Sequence, residues 1–122
     1  MREFGKLKVW ERGHRLTLDV YEVTAAFPRG ELYGLTSQMR RSCAAMPANI
    51  AEGCGRGSNA DLARFLQKAL GSASELENHL LLARDLEHLE TNDYKRLIAE
   101  VRELKRMLTS FIRNLKAFAN IP

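Results

Sequence analysis

The sequence predicts an all-α protein, an antiparallel up-down-up-down four-helix bundle whose second helix is kinked at Pro47. Three observations carry this expectation. Four segments place apolar residues at alternating steps of four and three, the spacing of one buried helix face. Short clusters of glycine, proline and capping residues separate those segments. No stretch alternates with period two, and no Asn-Gly hairpin signal occurs. Amphipathic helices joined by short turns pack at shallow angles as a bundle. The expected helices cover about 9–26, 35–54, 59–89 and 92–119 of a single domain spanning 1–122.

The first helix follows a basic lead-in, Met1–Lys8. Val9, Gly13, Leu16, Val20, Val23 and Phe27 form its stripe, widened by Trp10, Thr17 and Tyr21. Gly13 costs about 1 kcal/mol relative to alanine in a helix interior, so a close helix crossing is expected there. Phe27-Pro28-Arg29-Gly30 stops this helix, and Tyr33-Gly34 leads into the second. There Met39, Cys43, Met46, Ile50 and Gly53 face the core. Beside them Ala44, Ala45, Ala48 and Ala51 are small enough to let another helix approach. Pro47 removes a backbone hydrogen bond and presses on the carbonyl of Cys43, costing about 3 kcal/mol. A clean break would need a polar cap, and Ala45 and Met46 are poor ones, so a kinked continuous helix is expected. Cys54-Gly55-Arg56-Gly57 ends it.

Ser58 reads as the N-cap of the third helix, with Asp61 in its first turn. Leu62, Leu66, Ala69, Ala73, Leu76, Leu80 and Ala83 carry the stripe down to about Leu89. Gly71-Ser72-Ala73-Ser74 makes this helix thin at its middle. Thr91-Asn92-Asp93 caps the fourth, where Leu97, Val101, Leu104, Leu108, Phe111, Leu115 and Phe118 keep the register. Trp10, Leu18, Phe65, Leu70, Leu81, Leu82 and Ile112 fall outside the seam, either widening the core or offering a self-association surface.

At 122 residues, 45% hydrophobic and 28% charged, the chain suits one globular domain with a real core. No apolar run reaches the roughly 18 residues of a membrane span, and the opening MREFGKLKVWERGHR lacks the pattern of a secretory signal. Cys43 and Cys54 sit roughly 16 Å apart along one helix, too far to bridge, and read as small core residues in a reducing cytoplasm. Signals for catalysis are poor. Glu11/His14 and Asp85/His88 have the spacing used in bundle-core di-iron sites, but they fall off the core register, and the second and fourth helices offer no core carboxylates. His79, one turn after Glu75, is consistent with a surface pair. No catalytic residue, metal ligand or cofactor is expected, and Gly53-Cys-Gly-Arg-Gly57 follows a helix rather than the strand a phosphate loop requires. A small metal-binding bundle enzyme is the alternative reading.

Charge is distributed unevenly. Divided near the helix midpoints, one end of the bundle holds eleven basic and four acidic residues, net +7. The other holds eight and eleven, net −3, together giving the chain's +4. Lys6, Lys8, Arg12, Arg64, Lys68, Arg113 and Lys116 are the candidates at the basic end for RNA or DNA phosphates, with affinity that falls steeply in salt. On the second helix, Arg41, Asn49 and Glu52 join Pro47 as structural or interface candidates. Glu52 pairs either locally with Arg56 or across to Arg40 or Arg41 of another helix or subunit.

Several segments occur in order over nearly the whole chain: Val9-Trp10, Phe27-Pro28, Glu31, Tyr33-Gly34-Leu35-Thr36-Ser37-Gln38, Arg40-Arg41, Pro47-Ala48-Asn49-Ile50-Ala51-Glu52-Gly53 and Gly71-Ser72-Ala73-Ser74-Glu75-Leu76-Glu77. Together they resemble the four-helix-bundle family first noticed as reading frames inside intervening sequences of 23S ribosomal RNA genes. That family is similar in fold to the accessory protein of diversity-generating retroelements, a five-subunit barrel that binds nucleic acid and a reverse transcriptase. The resemblance implies a non-enzymatic homo-oligomer, a pentamer, whose partners are itself, nucleic acid and a nucleic-acid-processing protein. Gly13, Cys43 and Cys54 depart from it, standing where alanine, alanine and a glycine or aromatic are expected.

Overall fold

The four apolar stripes fold as helices α1 (Lys8–Thr24), α2 (Leu35–Cys54), α3 (Asn59–Asp85) and α4 (Thr91–Phe118) in a computed structural model that describes residues 2–118. Single 3-10 turns, Phe4–Lys6 and Arg29–Glu31, precede α1 and α2. No strand occurs among the described residues. The expected end of the last helix at 119 and the core position of the Phe118 side chain lie outside the described part. Ser58 caps α3 as its chemistry requires, its hydroxyl accepting the Asp61 N–H at 3.1 Å.

One continuous core draws on all four helices. The stripes of α2 and α3 are buried at every expected position. On α1, Thr24 takes the buried place expected of Val23, and on α4 Ile112 that of Phe111; Val23 and Phe111 pack at the core's margin. A straight helix turns 3.6 residues per cycle, so a 3.5-residue stripe drifts, and at these two points the buried place moves on by one residue. Of the residues outside the seam, Phe65 and Ile112 are buried, Trp10, Leu70 and Leu81 pack at the margin, and Leu18 and Leu82 are exposed. His79 is also buried, at 8% exposure, rather than paired at the surface. It stands three residues after Leu76 and four before Ala83, on the flank of the α3 stripe. Its Nδ1 has no hydrogen-bond partner.

The seams differ in extent: α2 against α3 is the broadest and α1 against α4 the thinnest. Gly13, Thr17 and Thr24 of α1 meet Pro47, Cys43 and Arg40 of α2, so residue numbers fall on one helix as they rise on the other. Arg12 and Asp19 of α1 meet Glu100 and Arg96 of α4 in the same descending order.

Helix α2 passes through Pro47 without interruption. The carbonyl that proline deprives of its helical donor is that of Cys43. The Thr17 hydroxyl lies 3.3 Å from this oxygen and 2.7 Å from Gly13 O, and the Cys43 thiol donates to Thr17 Oγ1 at 3.5 Å. A neighbouring helix thus supplies polar company where α2 lacks it. Opposite, a Cβ added at Gly13 would lie 3.5 Å from Pro47 Cδ, an ordinary contact, so the crossing is close without demanding glycine.

Helix α3 ends at Asp85, four residues before the expected 89. Glu87 adopts φ 62°, and the N–H groups of Glu87 and His88 reach back to Arg84 O and Ala83 O at 2.9 and 3.0 Å. This is the paired-bond stop that normally uses glycine at the left-handed position. Glutamate there gives no local signal, which is why the periodicity overran the helix. Beyond the stop, His88 Nε2 meets Glu31 Oε2 at 3.0 Å, tying this turn to the one between α1 and α2.

Candidate nucleic-acid interface

The basic candidates lie on the turn before α1 and its first residues, the first part of α3 and the end of α4, and their surroundings divide them. Three are engaged with acids. Lys6 pairs with Glu3 at 2.9 Å, and Arg64 with Asp61 at 3.4 Å. Arg12 holds both Glu100 oxygens at 2.8 and 3.0 Å and is half-buried. That hydrogen bond raises the Arg12 pKa and fixes its charge. The other four, Lys8, Lys68, Arg113 and Lys116, are exposed and have no carboxylate partner among the described residues. Arg113 also lines a groove of about 450 Å³ with Arg102, Lys105, Arg106, Thr109 and Ser110, a wall without carboxylates. Two of those cations converge on Glu77 of α3, Lys105 at 2.8 Å and Arg102 at 2.9 Å, and their hydrogen bonds hold its carboxyl below the ordinary range.

Beside this end, Arg56, Arg64 and Lys68 stand over one ring, that of Phe65, at 4.9, 4.7 and 4.4 Å from its centroid. A different aromatic run follows α1, where Phe4 tilts on Trp10 at 5.0 Å and Trp10 stacks on His14 at 4.8 Å. Leu18, Tyr21, Leu32 and Tyr33 continue an exposed apolar surface toward the other end, with Tyr33 94% exposed.

The α2 candidates fall into separate settings. Pro47 is buried against Gly13, while Asn49 turns its amide back to Ala45 O at 2.9 Å. Glu52 pairs locally with Arg56, at 3.7 Å, rather than across helices. Arg41 is exposed in a shallow groove with Tyr21, Leu32, Tyr33, Thr36, Ser37 and Arg40. Both cysteines are free and buried; desolvation pushes the Cys43 thiol up to about 12 and raises Cys54.

Among the described residues, no three His, Cys, Asp or Glu side chains gather where they could hold a metal. Glu11 pairs with Arg15 and Asp85 with Arg84, while His14 and His88 are occupied with Trp10 and Glu31. No helix among them is long and apolar enough to cross a membrane. The cross-helix pairs Arg12–Glu100, Asp19–Arg96 and Glu31–His88 escaped the sequence reading because partners 57 to 88 residues apart leave no local spacing to find.

The family described as 23S rRNA-intervening sequence protein matches residues 5–110. The chain belongs to this family. No curated protein matches it. Among solved structures, a Bacteroides thetaiotaomicron protein of unknown function from the S23 ribosomal protein family is similar, with a TM-score of 0.77 and 24% identity. The match covers 85% of this chain and 97% of that one, and it shows a shared fold. The Pro47–Gly53 segment lies wholly in α2, from the crossing with α1 at Pro47 to the contact with α3 at Gly53.

Proposed function

We propose that this chain is a non-enzymatic, homo-oligomeric scaffold or accessory protein of the cytoplasm that binds RNA or DNA backbones through its basic end. The observation that carries the reading is the set of four exposed cations without acids, Lys8, Lys68, Arg113 and Lys116, on the end whose net charge is +7. Charges left unneutralised are free to displace counterions from phosphates. Lys6, Arg12 and Arg64 would add to the field, at the cost of leaving their acids. The proposed subunit is one domain over 1–122, an antiparallel up-down-up-down bundle with α2 bent at Pro47. The descending order of contacts on α1–α2 and α1–α4 supports that topology.

Self-association rests on the exposed Leu18, Tyr21, Leu32 and Tyr33 and on the family resemblance, which favours a pentamer. A ring with its axis along the bundles gathers the basic ends into one rim. Arg41, near that apolar surface, and Asn49 and Glu52 on the neighbouring face of α2 are the interface candidates. A nucleic-acid-processing protein is the proposed further partner.

Light scattering combined with gel shifts tests both parts. A pentameric mass is expected, with RNA affinity that falls steeply from low to high salt. Changing Arg64, Lys68, Arg113 and Lys116 to glutamine should weaken binding at least about tenfold and flatten the salt dependence. A monomeric mass at micromolar concentration overturns the assembly. Equal affinities for the two proteins, or salt-insensitive binding, overturn the interface.

A further inference from the structure

Phe65 is unlike every other buried apolar side chain among the described residues. It is 5% exposed, yet it is the one that lies outside the continuous core. Its Cβ sits against Gly53 of α2, where an added Cβ would come within 2.8 Å, and its ring is roofed by Arg56, Arg64 and Lys68. All three cations are exposed. Three like charges drawn to one small ring repel one another, and only two have acids nearby, Glu52 at 3.7 Å from Arg56 and Asp61 at 3.4 Å from Arg64. The aromatic face holds them by the attraction of a cation for a π system, which is weak at an exposed site beside a charge-assisted hydrogen bond to phosphate. Long arginine and lysine side chains can swing from ring to phosphate without any movement of the helices.

We infer that Phe65 is a covered stacking platform for single-stranded nucleic acid: phosphates of the strand draw Arg56, Arg64 and Lys68 off the ring, and an unpaired base takes their place on it. This rests on the nucleic-acid reading above and deepens it, because a rim that reads only charge would treat every polyanion alike. Duplex phosphates can recruit the same cations, but paired and stacked bases have no free face to offer. A single strand does, and base–aromatic stacking is tolerant of sequence.

The test uses the full chain and two fluorescently labelled 20-nucleotide DNA strands of equal charge, one carrying thymine throughout and one abasic throughout, titrated by anisotropy at low salt. Wild type should bind the base-bearing strand about five- to tenfold more tightly than the abasic one. Phe65→Leu, which keeps an apolar side chain on Gly53, should bring that ratio to about one, and Phe65→Tyr should restore it. Thermal melts of each variant verify folding. A wild-type ratio near one, or a ratio retained in Phe65→Leu, overturns the platform while leaving electrostatic binding in place. Failure of the wild type to bind either strand overturns both this inference and the nucleic-acid reading.

Discussion

The α2–α3 and α1–α4 seams solve the same problem in opposite ways. Across α2–α3, Gly53 meets Phe65 and Leu62 so closely that an added Cβ would lie 2.8 and 3.0 Å from them, and Ala69 and Ala73 are fully buried. Across α1–α4, an open groove of about 530 Å³ runs between Lys8, Arg15, Asp19, Arg96 and their neighbours. Two double ion pairs bridge it: Arg12 with Glu100, and Arg96 with Asp19 at 2.8 and 3.1 Å. Both seams share the apolar core, but one is closed by close-fitting shape and the other is spanned at its margin by charge. Shape responds little to ionic strength, whereas partly exposed ion pairs weaken as the screening length falls from about 10 Å at 0.1 M salt to about 3 Å at 1 M. The bundle therefore has a fixed side and a side that solution conditions can loosen.

The contrast breaks most readily at Gly53. Gly53→Ala forces the Phe65 backbone away from α2, an overpacking expected to cost about 2–3 kcal/mol despite the better helix propensity of alanine. Urea unfolding should show that loss unchanged between 0.1 and 1 M salt. A variant as stable as wild type would remove the claim that shape governs this seam. Next in size is the charged seam. A double-mutant cycle of Arg12→Ala and Glu100→Ala should give a coupling of about 1 kcal/mol at low salt, since both side chains are about a third exposed. The coupling should shrink by at least about half in 1 M salt; a salt-independent value would place this pair with the packed seam. The smallest effect sharpens the comparison from the other direction. At Gly13 a Cβ finds only ordinary contacts, 3.5 Å from Pro47 and 3.8 Å from Leu104, so Gly13→Ala should stabilise by about 0.5–1 kcal/mol. Destabilisation on melting would show that the α1–α2 crossing is as tight as Gly53.

How much of this was legible follows from the kind of interaction involved. The stripes of α2 and α3 were readable because burial and helix geometry impose a period on the chain, and small residues announce close approach. Gly13 and Gly53 look alike in a sequence, however. Only the neighbour's position, set by crossing geometry, separates the glycine with room from the one without. His79 was misplaced because a polar side chain beside a broad apolar stripe gives no sign of its burial. The end of α3 was missed because Glu87 performs a glycine's task. At the candidate interface, position along the helices was the whole basis for grouping the seven cations. Which of them are free could not be read, because Arg12 finds Glu100 across 88 residues of chain.

Trp10 gives the molecule a built-in optical reporter. It is the single tryptophan of the chain, and it lies between Phe4 of the lead-in turn and the imidazole of His14. Detachment of the lead-in turn wets the indole and moves its spectrum to the red. Emission wavelength against denaturant therefore reports on this contact, with no label attached. Loosening at the N-terminal edge of α1 can be watched separately from melting of the core, in a sample that also contains nucleic acid.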